Sequence, residues 1–213
     1  MNKKVMCVIM AIIFSIILFG CKSNDVVEEK IEMLSAEELE FFNGDTFFNG
    51  EGFNIRNQFL SSIYDGPESI DLFGLFYVGS GLEETIADEE LLSAMKAFGI
   101  SGTINQLPSP CEKNSLNNMN TILTEHMGIT VEESGKIGLD NMIYLEDYDA
   151  YYYFHGDTNY RSIITFNSGE REGNQIRLFY DDGFFGDGAK VLTLIESEGD
   201  YKFISNQYVV NAE

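Results

Sequence analysis

Few side chains in this sequence could do chemistry, and each is judged by the residues around it. There are two histidines. His126 follows Glu125 near the end of an apolar-periodic stretch, and His155 opens His155-Gly156-Asp157. A histidine and an aspartate two residues apart could share a divalent metal. A zinc site needs three or four such ligands, though, and neither HExxH nor CxxC occurs. Asp181, Asp182 and Asp187, set among glycines, could gather carboxylates around Ca²⁺. Their spacing departs from the EF-hand loop, and a glycine-rich hairpin turn accounts for the same residues. Glu146, Asp149 and His155 are the groups an acid–base enzyme would use. With 35 acidic residues present, however, some pair of carboxylates stands at a plausible separation by chance, so pairing alone does not mark a glycosidase. No nucleophile elbow and no phosphate-binding glycine loop appears. Cys111 follows Pro108-Ser109-Pro110, an extended or turn segment where an inert, partly buried thiol is expected. The sequence therefore points to no catalytic residue, no cofactor and no metal site.

The densest unusual feature is aromatic: Tyr144, Tyr148, Tyr151, Tyr152, Tyr153, Phe154 and Tyr160. Strand alternation puts Tyr151 and Tyr153 on one side and Tyr152 and Phe154 on the other. Such rings build a core strand, and with their polar tips they also suit a surface that receives peptide or sugar. On the second account the ligand-binding residues are Tyr148, Tyr151, Tyr153, His155 and Asp157.

The elements that must position these groups read as helices first and strands second. Ser35-Ala36-Glu37-Glu38 is a capping box that opens a helical segment with Leu39, Phe42 and Phe47 as its inward candidates. The near-repeat Phe41-Phe42-Asn43-Gly44 and Phe47-Phe48-Asn49-Gly50 reads as helix end plus turn. Asn54 caps a second helix through Ile55, Phe59 and Ile63. Pro67 starts a third with Ile70, Phe73 and either Phe76 or Tyr77 on one stripe. Asp88–Ala97 follows, with Leu91, Leu92 and Met95 inward and Gly99 as its stop. Ser115–Met127 places Leu116, Met119, Leu123 and Met127 on one face, with His126 expected half-exposed in the last turn. Thr130-Val131-Glu132-Glu133 announces a further short helix.

From about Ala150 the segments Tyr151–Phe154, Ser162–Phe166, Gln175–Tyr180, Lys190–Glu196 and Tyr201–Asn206 are rich in strand formers. Turn chemistry separates them, including Ser168–Asn174. The expected fold class is α+β, with N-terminal helices packed on a C-terminal antiparallel meander of four to five strands. A cystatin-like or NTF2-like layout would fit that order.

The formal net charge is −22, which repels phosphate backbones and so argues against nucleic-acid partners. It favours basic partners or cations. The N-terminus reads Met1-Asn2-Lys3-Lys4, an uncharged stretch from Val5 to Phe19, then Gly20-Cys21. A basic start and a short apolar run make a secretory signal, and the run is shorter than the roughly 20 residues of a membrane-spanning helix.

Leu18-Phe19-Gly20-Cys21 resembles the lipobox of bacterial lipoproteins. That resemblance implies cleavage before Cys21, lipid on its sulfur and an extracytoplasmic chain held at a cell membrane or outer membrane. Two or more acyl chains anchor stably without help from a basic patch. Loss of Lys3 and Lys4 with the leader would take the charge from −22 to −24. Cys7 would leave as well, so Cys111 would have no partner for a disulfide within the mature chain. The expected organisation is a leader over 1–20, a tether over 21–34 and one domain over 35–213.

The C-terminal two-thirds is also similar to uncharacterised lipoproteins of gut Firmicutes. The residues that carry this are His126-Met127-Gly128-Ile129, Tyr144-Leu145-Glu146-Asp147-Tyr148-Asp149-Ala150-Tyr151 and Phe154-His155-Gly156-Asp157-Thr158-Asn159-Tyr160. It implies no activity. The expected function is a membrane-anchored, non-enzymatic binding domain for an envelope protein, peptide or glycan. The alternatives are a regulator of cell-wall hydrolases and an envelope enzyme with an unrecognised site.

Overall fold

Ser35 opens the first helix as its spacing predicts: Glu38 N donates to Ser35 Oγ at 3.2 Å, and Glu38 Oε2 accepts from Ser35 N at 2.8 Å. The computed structural model describes residues 30–50, 52–107, 109–156, 163–181 and 188–209. The leader, Cys21, Asp157, Asp182 and Asp187 lie outside the described residues, as does Tyr160.

Strand β1 (Glu32–Met33) pairs with a later strand, and Leu34 is buried beneath it. The folded unit thus begins at Ile31, within the stretch expected to be tether. Next come α1 (Ala36–Asn43), a π-turn over Asp45–Asn49, α2 (Ile55–Gln58), α3 (Leu72–Phe76) and α4 (Asp88–Ala97). Strand β2 (Cys111–Ser115) leads into α5 (Leu116–Met127), which Gly128 closes at φ +74°. The chain then forms β3 (Ile143–Leu145), β4 (Ala150–Phe154), β5 (Phe166–Glu172), β6 (Gln175–Asp181), β7 (Ala189–Ser197) and β8 (Asp200–Tyr208).

The class is α+β, and the strands divide between two antiparallel sheets, ordered β1-β5-β6-β7-β8 and β2-β4-β3. The last four strands are the expected meander, but the tyrosine strand β4 leaves it for the smaller sheet. Ile176, Leu178, Leu192, Leu194 and Phe203 line the large sheet's inner face, fully buried under Phe42, Phe48, Phe59 and Met119. Burial of each such ring or aliphatic chain contributes about 1.5–3 kcal/mol.

Several local expectations change under tertiary packing. The second helix stops at Gln58, and Pro67 begins only a 3₁₀ turn. Asp71 starts α3 afresh by accepting from Phe73 N and Gly74 N. The Thr130 capping box forms, but it closes a single turn. Strand β5 runs through Phe166–Glu172, where a turn was expected, and the turn shrinks to Gly173-Asn174. Ion pairs stabilise this polar strand. Arg171 reaches Glu196 at 2.5 Å and Glu38 at 3.3 Å, and Arg177 reaches Glu170 at 2.8 Å.

Helix α4 is rotated from its expected face: Glu90, Ala94 and Met95 are buried, and Leu92 is exposed. Glu90 turns inward because Lys113 and Tyr152 of the small sheet bind its carboxylate.

His126 also departs from expectation. It is buried, with its ring 5.4 Å from Phe59 and 6.1 Å from Phe203. The reason is helical spacing, since position 126 falls on the face shared by Met119, Ile122 and Leu123. Burial lowers its pKa, outweighing the upward pull of Glu125. Above pH ~6.5 the ring is neutral both folded and unfolded. As pH falls below that value, the unfolded chain takes up a proton that the folded chain resists, so stability drops. His126→Phe is expected to flatten this slope between about pH 6.5 and 5, measured by urea unfolding at a series of pH values. A slope equal to wild type refutes the assignment.

Candidate functional site

The tyrosine-rich segment folds as a hairpin, β3 to β4, joined by a 3₁₀ turn over Glu146–Tyr148. Register pairs Tyr144 with Tyr151, and on the other side pairs Asn114 with Tyr151 and Glu112 with Tyr153. Lys113 stands opposite Tyr152, and Cys111 opposite Phe154. The expected alternation therefore holds, and the two faces have different fates.

The face with Tyr152 packs under α4, against Ala94. Tyr152 is fully buried and its hydroxyl donates to Glu90 Oε1. Lys113 Nζ sits 2.7 Å from the same oxygen, and Ala87 N donates to Glu90 Oε2 at 3.2 Å. Burial alone would raise the Glu90 carboxyl, but the bonds from Lys113, Tyr152 and Ala87 outweigh it and the net shift is downward. Cys111 lies on this face, its thiol pushed up to about 12 by burial and then by Glu112 and Glu90. A thiol held protonated is a poor nucleophile. The whole arrangement clamps α4 to the small sheet.

The other face enters the main core at one end and reaches solvent at the other. Tyr153 is buried, stacked 5.5 Å from Tyr77 and edge-on to Phe73, with its hydroxyl donating to Phe76 O at 3.3 Å. It acts as a packing residue, and burial raises its hydroxyl pKa. His155 follows at this end, half-buried, with its ring 4.6 Å from Tyr77.

At the opposite end Tyr144 is 41% exposed, and its ring lies 4.9 Å from that of half-buried Tyr151 at an angle of 46°. Tyr144 Oη donates to Asp149 Oδ1 at 2.5 Å, and this bond raises the Tyr144 hydroxyl to about 12. The charges of Glu146 and Asp149 act on Tyr144, and those of Lys136, Asp149 and Glu132 act on Tyr151. Lys136 Nζ is 2.6 Å from Glu132 Oε2. Asp149 and Lys136 both adopt left-handed backbone, at φ +48° and +56°.

The expected ligand residues thus separate. Tyr151 joins Tyr144 at the surface, Tyr153 belongs to the core, and Tyr148 turns toward α4, where its hydroxyl is 3.5 Å from Ser93 Oγ. His155 lies six residues along the chain from Asp149, roughly 20 Å of extended strand. Glu146, Asp149 and His155 therefore do not converge on one reaction centre, and the enzyme reading loses its residues.

Asp181 is exposed at the end of β6. Among the described residues no three His, Cys, Asp or Glu side chains come together to hold a metal ion. No helix among them is long and apolar enough to cross a membrane. Sequence reasoning missed Lys136 and Glu132. Their only signal is an i, i+4 opposite-charge spacing, which says nothing about Tyr151 until the chain folds. Comparison with protein-family models, curated proteins and solved structures finds no match.

Proposed function

We propose that this chain is an extracytoplasmic lipoprotein, tethered to a membrane by acyl chains on Cys21, whose domain binds a partner without catalysis. The recognition surface is the Tyr144–Tyr151 face of the β3–β4 hairpin. The observation that supports it is the exposed Tyr144, held by the Asp149 carboxylate beside half-buried Tyr151, with Asp149 and Lys136 in left-handed backbone. An exposed tyrosine held in this way suits recognition, because little side-chain freedom is left to lose on binding. The leader Leu18-Phe19-Gly20-Cys21 supports the address.

Two measurements test the reading. Mass spectrometry of the purified protein is expected to find an acylated N-terminal Cys21, and Cys21→Ala should move the chain out of the membrane fraction. An intact leader or an unmodified thiol would refute the anchor. Co-sedimentation with isolated envelope fractions should depend on Tyr144, and equal sedimentation of Tyr144→Ala would remove the surface. A second reading, regulation of a basic envelope hydrolase, is favoured by the net charge of −22. Unchanged hydrolase activity on adding the protein excludes it.

A further inference from the structure

We propose that the exposed Tyr144 ring, beside the Asp149 carboxylate, receives an arginine side chain from a basic peptide segment of the partner. This rests on the reading of the Tyr144–Tyr151 face as the binding surface and names the chemistry it selects. Tyr144 is 41% exposed, and its ring is inclined at 46° to that of half-buried Tyr151. This face therefore offers one open ring and not the flat two-ring platform on which a sugar lies best. Aromatic faces carry negative potential, which draws a cation placed over them. Among the described residues whose charges act on the two hydroxyls, Glu132, Glu146 and Asp149 are acidic and Lys136, itself paired with Glu132, is basic, a local excess of two negative charges. The charge of the whole chain has the same sign, so anionic ligands are repelled at long range and cations are drawn in.

Asp149 supplies the directional contact. Its Oδ1 takes the Tyr144 hydroxyl, and Oδ2 receives no hydrogen bond among the described residues. A guanidinium can lie against a ring while its N–H groups point at a carboxylate, which a compact ammonium does less well. The site is also preset. Asp149 holds left-handed backbone, at φ +48°, that non-glycine residues seldom adopt. Leu116 N fixes it by donating to Asp149 O at 2.9 Å. Strain retained in this way gathers where geometry serves recognition.

The test uses the full lipidated chain in detergent micelles and a labelled peptide of alternating glycine and arginine, read by fluorescence anisotropy. The comparison peptide replaces each arginine with citrulline, which has the same shape without the charge. The arginine peptide is expected to bind more tightly than the citrulline peptide. Tyr144→Ala and Asp149→Asn should each weaken it about tenfold. Asparagine tolerates left-handed backbone, so Asp149→Asn retains the fold. Glu37→Gln removes the same charge from exposed α1 and should leave affinity within about twofold.

Equal loss in Glu37→Gln would reduce the effect to general charge attraction and overturn the proposal. Equal binding of the citrulline peptide, or displacement of the arginine peptide by a neutral chito-oligosaccharide, would overturn it too. If that citrulline or sugar binding still depends on Tyr144, the surface stands and only its cation selectivity falls. If no probe depends on Tyr144, both readings fall together.

Discussion

Lys113→Met is expected to lower the unfolding free energy at pH 7 by about 2–4 kcal/mol. The variant keeps the aliphatic bulk of the lysine and removes only its charge. Glu90 is then a carboxylate 5% exposed, without the ammonium that stood 2.7 Å away. The Tyr152 and Ala87 donors remain, but they do not neutralise a charge in a poorly polarisable setting. Because the Lys113 side chain is itself 15% exposed, the loss should fall at or below the range for a fully buried pair.

Adding Glu90→Gln to Lys113→Met should restore more than half of the loss, since a neutral amide still accepts from Tyr152. Urea unfolding of both variants measures this. A loss under about 1 kcal/mol would mean that water solvates Glu90 and that the clamp between α4 and the small sheet is weak. The same group sets part of the acid sensitivity. The folded-state pKa of Glu90 is depressed, so its stabilisation is present above about pH 4.5 and is lost as pH falls through the folded value. Glu90→Gln should therefore show a shallower acid limb than wild type.

Asn49→Ala and Asn43→Ala are each expected to cost about 2–3 kcal/mol, although neither side chain belongs to the apolar core. Asn49 Nδ2 donates to Ile164 O at 2.7 Å while Ile164 N donates back to Asn49 Oδ1 at 3.0 Å. Asn43 makes the same pair of bonds with Phe166, at 3.0 and 2.8 Å. Residues 164 and 166 are two apart, so they present their N–H and C=O groups on the same edge of the chain. The two asparagines thus take the place of a neighbouring strand over that length and cover an edge that would otherwise invite pairing with another chain.

Both asparagines end a helical segment and both are followed by glycine. Gly50 is required by space, since a Cβ there would meet Asp45 O at 2.6 Å. Asn49→Asp should be nearly as damaging as Asn49→Ala, because it removes the donor and turns a carboxylate oxygen toward the Ile164 carbonyl. Hydrogen exchange gives the local readout. The Ile164 and Phe166 amides should lose protection well before those of β7 in the corresponding variants. Unchanged protection would show that water replaces the asparagines at no penalty.

The Phe-Phe-Asn-Gly near-repeat was visible in the sequence, yet its purpose was not, because the strand edge it covers lies more than 110 residues away. Other features divide in the same way. Ser35, Asn54 and Ser115 announced their helices because a cap bonds a backbone N–H two or three residues on, a contact that needs no distant partner. Gly128 ended α5 for an equally local reason, its left-handed φ. The alternation of Tyr151, Tyr152, Tyr153 and Phe154 followed from strand geometry alone.

Which of those faces would be covered did not follow from strand geometry. Tyr153 and Tyr151 point the same way, and only the arrival of Phe73 and Tyr77 at one end leaves Tyr153 buried and the other end of the face open. Strand β5 was hidden for a related reason: its stability comes from Arg171 and Arg177 reaching acids on other strands and on α1, which strand propensity does not record. Charge partners also set the rotation of α4, overriding an apolar pattern that favoured Leu92.

The sequence by itself determined the class, the starts of α1, α2 and α5, the stop of α5, the strand alternation and the acidic character, because these depend on contacts a few residues apart or on composition. Tertiary structure alone decided the division into two sheets, the burial of His126 and the meeting of Tyr144, Tyr151, Asp149 and Lys136. Those outcomes depend on which distant surfaces exclude water from one another, and no local spacing encodes that choice.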